Sequence, residues 1–196
     1  MAEHKHLKRL ARVWVKEPVF YITTGTHQRQ PILANAKIVS ILVEEWTQAL
    51  QLHGWAIGRY VVMPNHVHFF CAPVTGVNAS VAGIGDPGHK GGDPGHKGSN
   101  PGHKSSDPHY KDLSGFIQQW KQWTSKRIIR ECSPDGPSGL QRFAAPIWQA
   151  EFFDHLIRSQ DSYRQKWDYV RQNPVRAGLV KNPEDWLWQG QIHDLM

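Results

Sequence analysis

The sequence predicts an α+β domain of the ferredoxin-like, split β-α-β kind, an antiparallel sheet with helices on one face. Three observations predict it. Hydrophobic patterning reads as β-α-β-β, then an irregular insertion, then α-β-α. Two strand-like runs, residues 55–63 and 66–74, are separated only by Pro64-Asn65, a turn dipeptide that makes them a hairpin. Strands mixed with helices around such a hairpin suit helices packed on an antiparallel sheet.

Each element follows from its residues. "PVFYITTGT" (18–26) is rich in β-branched and aromatic side chains and reads as a strand. In residues 35–52, Ile38, Ile41, Leu42, Trp46, Ala49 and Leu50 recur at helical spacing behind Asn35 as N-cap. "WAIGRYVVM" (55–63) and "HVHFFCAPV" (66–74) are the hairpin strands. Residues 86–109 then run through "DPGHKGG", "DPGHKGS", "NPGHKSS" and a decayed "DPHY". This tract offers almost nothing to bury, so residues 76–109 are expected as a low-complexity insertion forming a disordered loop. Its evenly spaced His89, His96 and His103 suit a duplicated tract better than a shaped metal site, since ordering glycine-rich backbone costs much entropy. Order resumes at 112–131, where Leu113, Phe116, Ile117, Trp120, Thr124 and Ile128 form a helical stripe flanked by Lys121, Lys126, Arg127 and Arg130. Residues 132–146 read as loop, 147–159 as a strand, and 159–172 as a helix that starts at Ser159 or Asp161 and is limited by Pro174. The tail beyond is loop with short elements.

With 196 residues and 39% hydrophobic content, including nine Trp, residues 1–196 are expected as one domain with that insertion. Lys and Arg outnumber Asp and Glu by 23 to 17, which favours a polyanionic partner such as nucleic acid. Two cysteines in unrelated contexts, Cys71 and Cys132, argue against a disulfide framework or a cysteine-based zinc site. No apolar run is long enough to span a membrane, and the basic N-terminus lacks a secretory apolar core, so no membrane association and a cytoplasmic location are expected.

The chemistry begins at "YVVMPNHVHFF" (60–70). On a strand His66 and His68 point to one face and Val67 to the other, so the two imidazoles can grip one cation. Two histidines at a sheet edge, satisfied by water or backbone, are the structural alternative. A reactive group is also needed. In "YVRQN" (169–173), Tyr169 and Asn173 stand at i and i+4 and can share one helix face, whereas Tyr163 lies about 120° round the same helix.

"MPNHVHFF" resembles the His-hydrophobic-His motif of HUH endonucleases, and "WQAEFFDHLIRS" followed by "YVRQNPVRAGLV" resembles the C-terminal signature of single-tyrosine transposases. Together with "FYITTGTHQRQPIL", they make the chain similar to the REP-associated tyrosine transposases over roughly residues 12–185. The resemblance implies an HUH endonuclease architecture and a bacterial, nucleoid-associated protein. It also implies cleavage of single-stranded DNA beside hairpins, with a divalent metal and a tyrosine nucleophile. Carried over, His66, His68 and Asn173 are the metal ligands and Tyr169 attacks, leaving a 5′-phosphotyrosine and a free 3′-OH. Free phenol, with a pKa of about 10, is a weak nucleophile near neutrality, so a cation on the scissile phosphate would be needed. Two imidazoles and an amide oxygen suit Mn²⁺, Co²⁺ or Ni²⁺, while abundance favours Mg²⁺; Mg²⁺ or Mn²⁺ is the expected ion.

Arg29, Lys121, Lys126, Arg127 and Arg176 are weaker candidates for phosphate contacts, and Trp123 for stacking on an unpaired base. Asp154 and His155 in "FFDH" read as sheet-pairing residues. The expected function is a nickase and strand transferase at REP-type hairpins. A non-catalytic hairpin-binding protein with the same fold is the alternative. The protein is expected as a monomer or homodimer, with Tyr169 serving its own histidines or a partner's.

Overall fold

The computed structural model describes residues 18–74, 113–132 and 145–196. Five strands form one antiparallel sheet in the order β4-β1-β3-β2-β5. They are β1 (Val19–Gly25), β2 (Trp55–Met63), β3 (His66–Pro73), β4 (Phe153–Ile157) and β5 (Gln189–Gln191). The first four have the split β-α-β arrangement expected, with α1 (Ala36–His53) joining β1 to β2 and α2 (Leu113–Cys132) standing between β3 and β4 in sequence. Asn35 caps α1 as predicted, its side-chain oxygen accepting from the backbone N–H groups of Lys37 at 2.9 Å and Ile38 at 3.4 Å. Gly54 closes it at φ +67, a left-handed conformation that glycine adopts without steric cost.

Alternation along the strands divides the core in two. Phe20, Ile22, Val67, Phe69 and Cys71 face α1 and α2, while Val19, Tyr21, Val61, Met63 and Phe70 face the other way. The first layer is aromatic: Trp46 stacks on Trp120 with centroids 5.5 Å apart, and Trp55 on Phe116 at 5.2 Å. Truncating one of these fully buried indoles to alanine costs ~3–5 kcal/mol.

The α+β fold class stands, with one refinement. Helices α1 and α2 occupy one face as expected, whereas α3 (Gln160–Arg171) lies on the opposite face, where Tyr163 and Val170 pack with Tyr21, Phe70 and Ile157. The sheet is thus a middle layer, because both faces carry apolar strand residues that need cover.

The strand expected over 147–159 is shorter, Phe153–Ile157, preceded by a single bridge between Thr26 and Trp148. Lys121 explains the difference. Its Nζ donates to the carbonyls of Gln149, Ala150 and Glu151 at 3.0, 3.2 and 3.0 Å, so those oxygens turn towards α2 and not towards a neighbouring strand. The tail holds more structure than expected: α4 (Asn173–Arg176), a 3-10 turn at Pro183–Asp185, and β5 on the free edge of β2. The indole N–H of Trp186 donates to the carbonyl of Val62 at 3.0 Å, and the Val62 N–H to the carbonyl of Trp188 at 2.8 Å. The repeat insertion at 76–109 and the basic N-terminus lie outside the described residues. Among the described residues no helix is long and apolar enough to cross a membrane.

Candidate active site

His66 and His68 share the α3 face of β3, with ring centroids 4.7 Å apart and planes nearly perpendicular at 87°. Their partners fix the proton on each ring. The Asn173 side-chain amide donates to His68 Nε2 at 2.8 Å, so Nε2 holds the lone pair and Nδ1 the hydrogen. That Nδ1–H faces two hydroxyl oxygens, Tyr21 Oη at 2.7 Å and Thr23 Oγ1 at 2.8 Å. His66 Nδ1 lies 2.6 Å from Asn65 Oδ1, a carbonyl oxygen that only accepts, and its Nε2 is again the lone-pair nitrogen.

Burial holds both rings neutral. It is the main reason that His66 is pushed down to about 4, with Arg29 adding to the effect. His68 is pushed down to about 3, first by burial and then by His66, Arg176, Arg29 and Lys166. Neutral imidazoles oriented through Nδ1 are the form that binds metals. Among the described residues, no three His, Cys, Asp or Glu side chains converge, so a cation at this pair needs a donor of another kind. The Asn173 amide is already within hydrogen-bonding distance of His68 Nε2. It is the amide nitrogen that faces His68, while the oxygen accepts from Arg176, so two imidazole nitrogens and an amide oxygen match a divalent ion in donor type once the amide turns over.

Tyr169 and Asn173 occupy two consecutive helices and not one, because α3 ends at Arg171 and Pro174 opens α4. Gln172 between them keeps helical dihedrals (φ −81, ψ −6), so the chain direction is retained. Arg176 ties the two residues together. Its guanidinium lies 4.2 Å from the Tyr169 ring centroid, donates to the Tyr169 carbonyl at 2.9 Å, and also donates to Asn173 Oδ1. The Tyr169 side of this arrangement is open, the residue being 61% exposed. Lys166 sits between rings, 5.1 Å from Tyr21 and 5.9 Å from Tyr169.

The remaining predicted contacts divide by face. Arg29 lies on the histidine side, its Nη1 3.0 Å from where a Cβ on Gly25 would stand, and Gly25 pairs with His66 across the sheet. Gln28 and Arg29 both hold left-handed backbone, φ 52 and 57, in the 3-10 turn after β1. Lys121 does not serve as a phosphate contact: it is buried and spends its ammonium hydrogens on three carbonyls. Arg127 is likewise engaged, by Glu44, Glu45 and Glu131 at 2.7, 3.1 and 3.0 Å. Lys126 lies 4.8 Å from the exposed Trp123 ring on α2, which packs on the face away from the histidines. Asp154 and His155 pair in the sheet with Ile22 and Tyr21.

Sequence reading missed Tyr21, Thr23 and Lys166. Register was the signal available for two of them: Thr23 stands opposite His68, and Tyr21 is its neighbour on the same face of β1. Lys166 carried none, since a lysine three residues before a tyrosine is ordinary helix surface.

No protein-family model matches the chain. A REP-associated tyrosine transposase of Escherichia coli K12 is 48% identical over 71 residues, 36% of each chain. A putative REP-associated tyrosine transposase of Haemophilus influenzae is 31% identical over 79 residues, 40% of this chain and 45% of its own length. The chain thus matches less than half the length of these curated relatives. A solved structure described as a REP-associated tyrosine transposase bound to a REP hairpin aligns over 96% of this chain and 94% of its own, with a TM-score of 0.57 at 20% identity. That likeness carries the fold. The sequence matches beside it make part of this chain similar to REP-associated tyrosine transposases.

Proposed function

We propose that this chain is a metal-dependent nickase and strand transferase of single-stranded DNA at REP-type hairpins, with Tyr169 as nucleophile. The contact between Asn173 and His68 carries the reading, because it ties the start of α4, the helix that directly follows the tyrosine-bearing α3, to the histidine face.

His66 and His68, through Nε2, and Asn173, through its amide oxygen after the amide turns from its present contacts with His68 and Arg176, would hold a divalent ion, Mg²⁺ or Mn²⁺. The chemistry such an ion supplies is Lewis acidity toward a phosphoryl oxygen. The protein's own groups do the rest. Tyr21 and Thr23 accept the His68 Nδ1 hydrogen and keep the ring in its ligating tautomer. Arg176, stacked on the Tyr169 ring, orients the phenol, and its charge with those of Arg29 and Lys166 attracts the DNA backbone. Tyr169 Oη attacks phosphorus and gives up its proton. The bond to the 3′-oxygen breaks, and that oxygen leaves as a hydroxyl after taking up a proton. The phosphotyrosine conserves the phosphodiester energy for rejoining, so transfer needs no nucleotide cofactor.

The test is a denaturation-resistant DNA–protein band formed with hairpin oligonucleotides and Mn²⁺. The unmodified chain should give the band, and Tyr169→Phe should lose it while still binding the hairpin. Binding without a band under any divalent ion leaves a hairpin-binding protein. A Tyr169→Phe variant that still cleaves, with a protein-free 5′ end, indicates hydrolysis by water.

A further inference from the structure

The sheet face that carries His66 and His68 continues past them to an aromatic ring with no assigned role. Phe153, on the edge strand β4, is 47% exposed, and its register partner is Thr23, the residue whose hydroxyl meets His68. Directly opposed residues of an antiparallel pair project to the same face, which places Phe153 on the histidine side. Its ring meets Tyr21 edge-on, with centroids 6.5 Å apart and planes at 69°. Two strand spacings separate β4 from β3, so Phe153 lies ~10 Å from His68, a few nucleotides of strand at about 3.4 Å per stacked step.

Exposed apolar surface alone would say little. Here its surroundings specify a partner. The charged groups acting on His68 are all cations: Arg176, Arg29 and Lys166. Lys166 lies over the Tyr21 ring that Phe153 touches, and exposed His155 stands opposite Tyr21 on β4. An aromatic ring beside a cationic rim matches a chain of phosphates and flat bases, as in sites that bind unpaired nucleic acid by stacking.

Building on the proposed strand-transfer reading, we infer that Phe153 is a stacking platform for an unpaired base of the DNA strand, a few nucleotides from the phosphate attacked by Tyr169. The path crosses the sheet from β3 over β1 to the β4 edge, with the backbone following the cations and the base seated on the ring. Trp123, the stacking candidate suggested by sequence, belongs to α2 on the other side of the sheet. Stacking tolerates any base, so this subsite adds affinity for single-stranded DNA without adding sequence preference.

The test measures binding in EDTA, where no cleavage is needed. A hairpin with a single-stranded extension carrying 2-aminopurine is compared with the same hairpin lacking the extension, against the unmodified chain, Phe153→Ala and Phe153→Trp. Phe153→Ala should bind the extended hairpin about tenfold more weakly and lose fluorescence quenching. Affinity for the blunt hairpin should be unchanged, and Phe153→Trp should keep both signals. Unchanged affinity for the extended hairpin, or an equal loss on both DNAs, overturns the inference. A chain that shows the Phe153 effect yet never forms a covalent adduct refutes strand transfer and leaves the platform standing.

Discussion

The side-chain amide of Asn173 donates to Nε2 of His68 across 2.8 Å, joining residues 105 positions apart in sequence. This contact connects the sheet to α4, the helix that follows Tyr169. It also identifies which nitrogen of His68 carries the lone pair, leaving the hydrogen on Nδ1.

Replacing both hydroxyls that face His68 Nδ1, as in Tyr21→Phe with Thr23→Val, leaves the ring hydrogen without an acceptor. Divalent-ion affinity measured by calorimetry should fall by ~10–100-fold, as for loss of a partner behind a metal ligand. Either single substitution leaves one acceptor in place and should cost much less. Equal affinities in all three variants would remove His68 from the ligand set.

Acid should destabilise the fold through the two buried histidines. Both have folded values below the ordinary 6.5, about 4 for His66 and about 3 for His68, so between these limits the unfolded chain binds protons that the folded chain excludes. Their contribution is fully present above pH 6.5, falls as pH drops through the window, and levels off below about 3. The slope for His68 is about 1.4 kcal/mol per pH unit at most. Denaturant midpoints followed against pH should show the decline, and His68→Gln should make it shallower.

Lys121 and Arg29 should separate cleanly in salt titrations. Lys121→Met leaves three carbonyls without their donor and should lower stability by ~1–3 kcal/mol, with the salt slope of hairpin binding unchanged. Arg29→Gln should leave the denaturation midpoint nearly unmoved and reduce the slope of log affinity against log salt by about 0.7–0.9, the value of one phosphate contact. The reverse pattern would return Lys121 to the DNA surface.

Tyr169 should serve the histidines of its own chain. A mixture of His68→Ala and Tyr169→Phe proteins should then give no covalent adduct. Restored cleavage in the mixture would mean that the tyrosine is delivered to another subunit.

The sequence made the first half of the molecule legible because its signals were local. Asn35 precedes a periodic run, Pro64-Asn65 separates two β-rich runs, and the alternation across Val67 puts both histidines on one face. What escaped depended on partners far away in the chain. Lys121 looked like surface charge because its three carbonyls are 28 to 30 residues distant. Arg127 did carry a local hint, Glu131 one helical turn on, but Glu44 and Glu45 reach it from α1. Gln189–Gln191 has no β-branched residue to announce a strand and exists because β2 offers an open edge. Phe153 and His155 were read within a longer strand, so their shared face with Thr23 and Tyr21 emerged only with the register.

That final short strand has a mechanical meaning. The segment bearing Tyr169 leaves β4 on one side of the sheet and is fastened again at β2, through β5 and the Trp186 indole, on the other. A lever anchored at both ends can rock but cannot be lent to a neighbouring molecule without first unzipping its rear fastening. On the proposed strand-transfer reading, cutting and resealing would then be paced by how the DNA strand enters and departs, with the tyrosine arm kept at home between rounds.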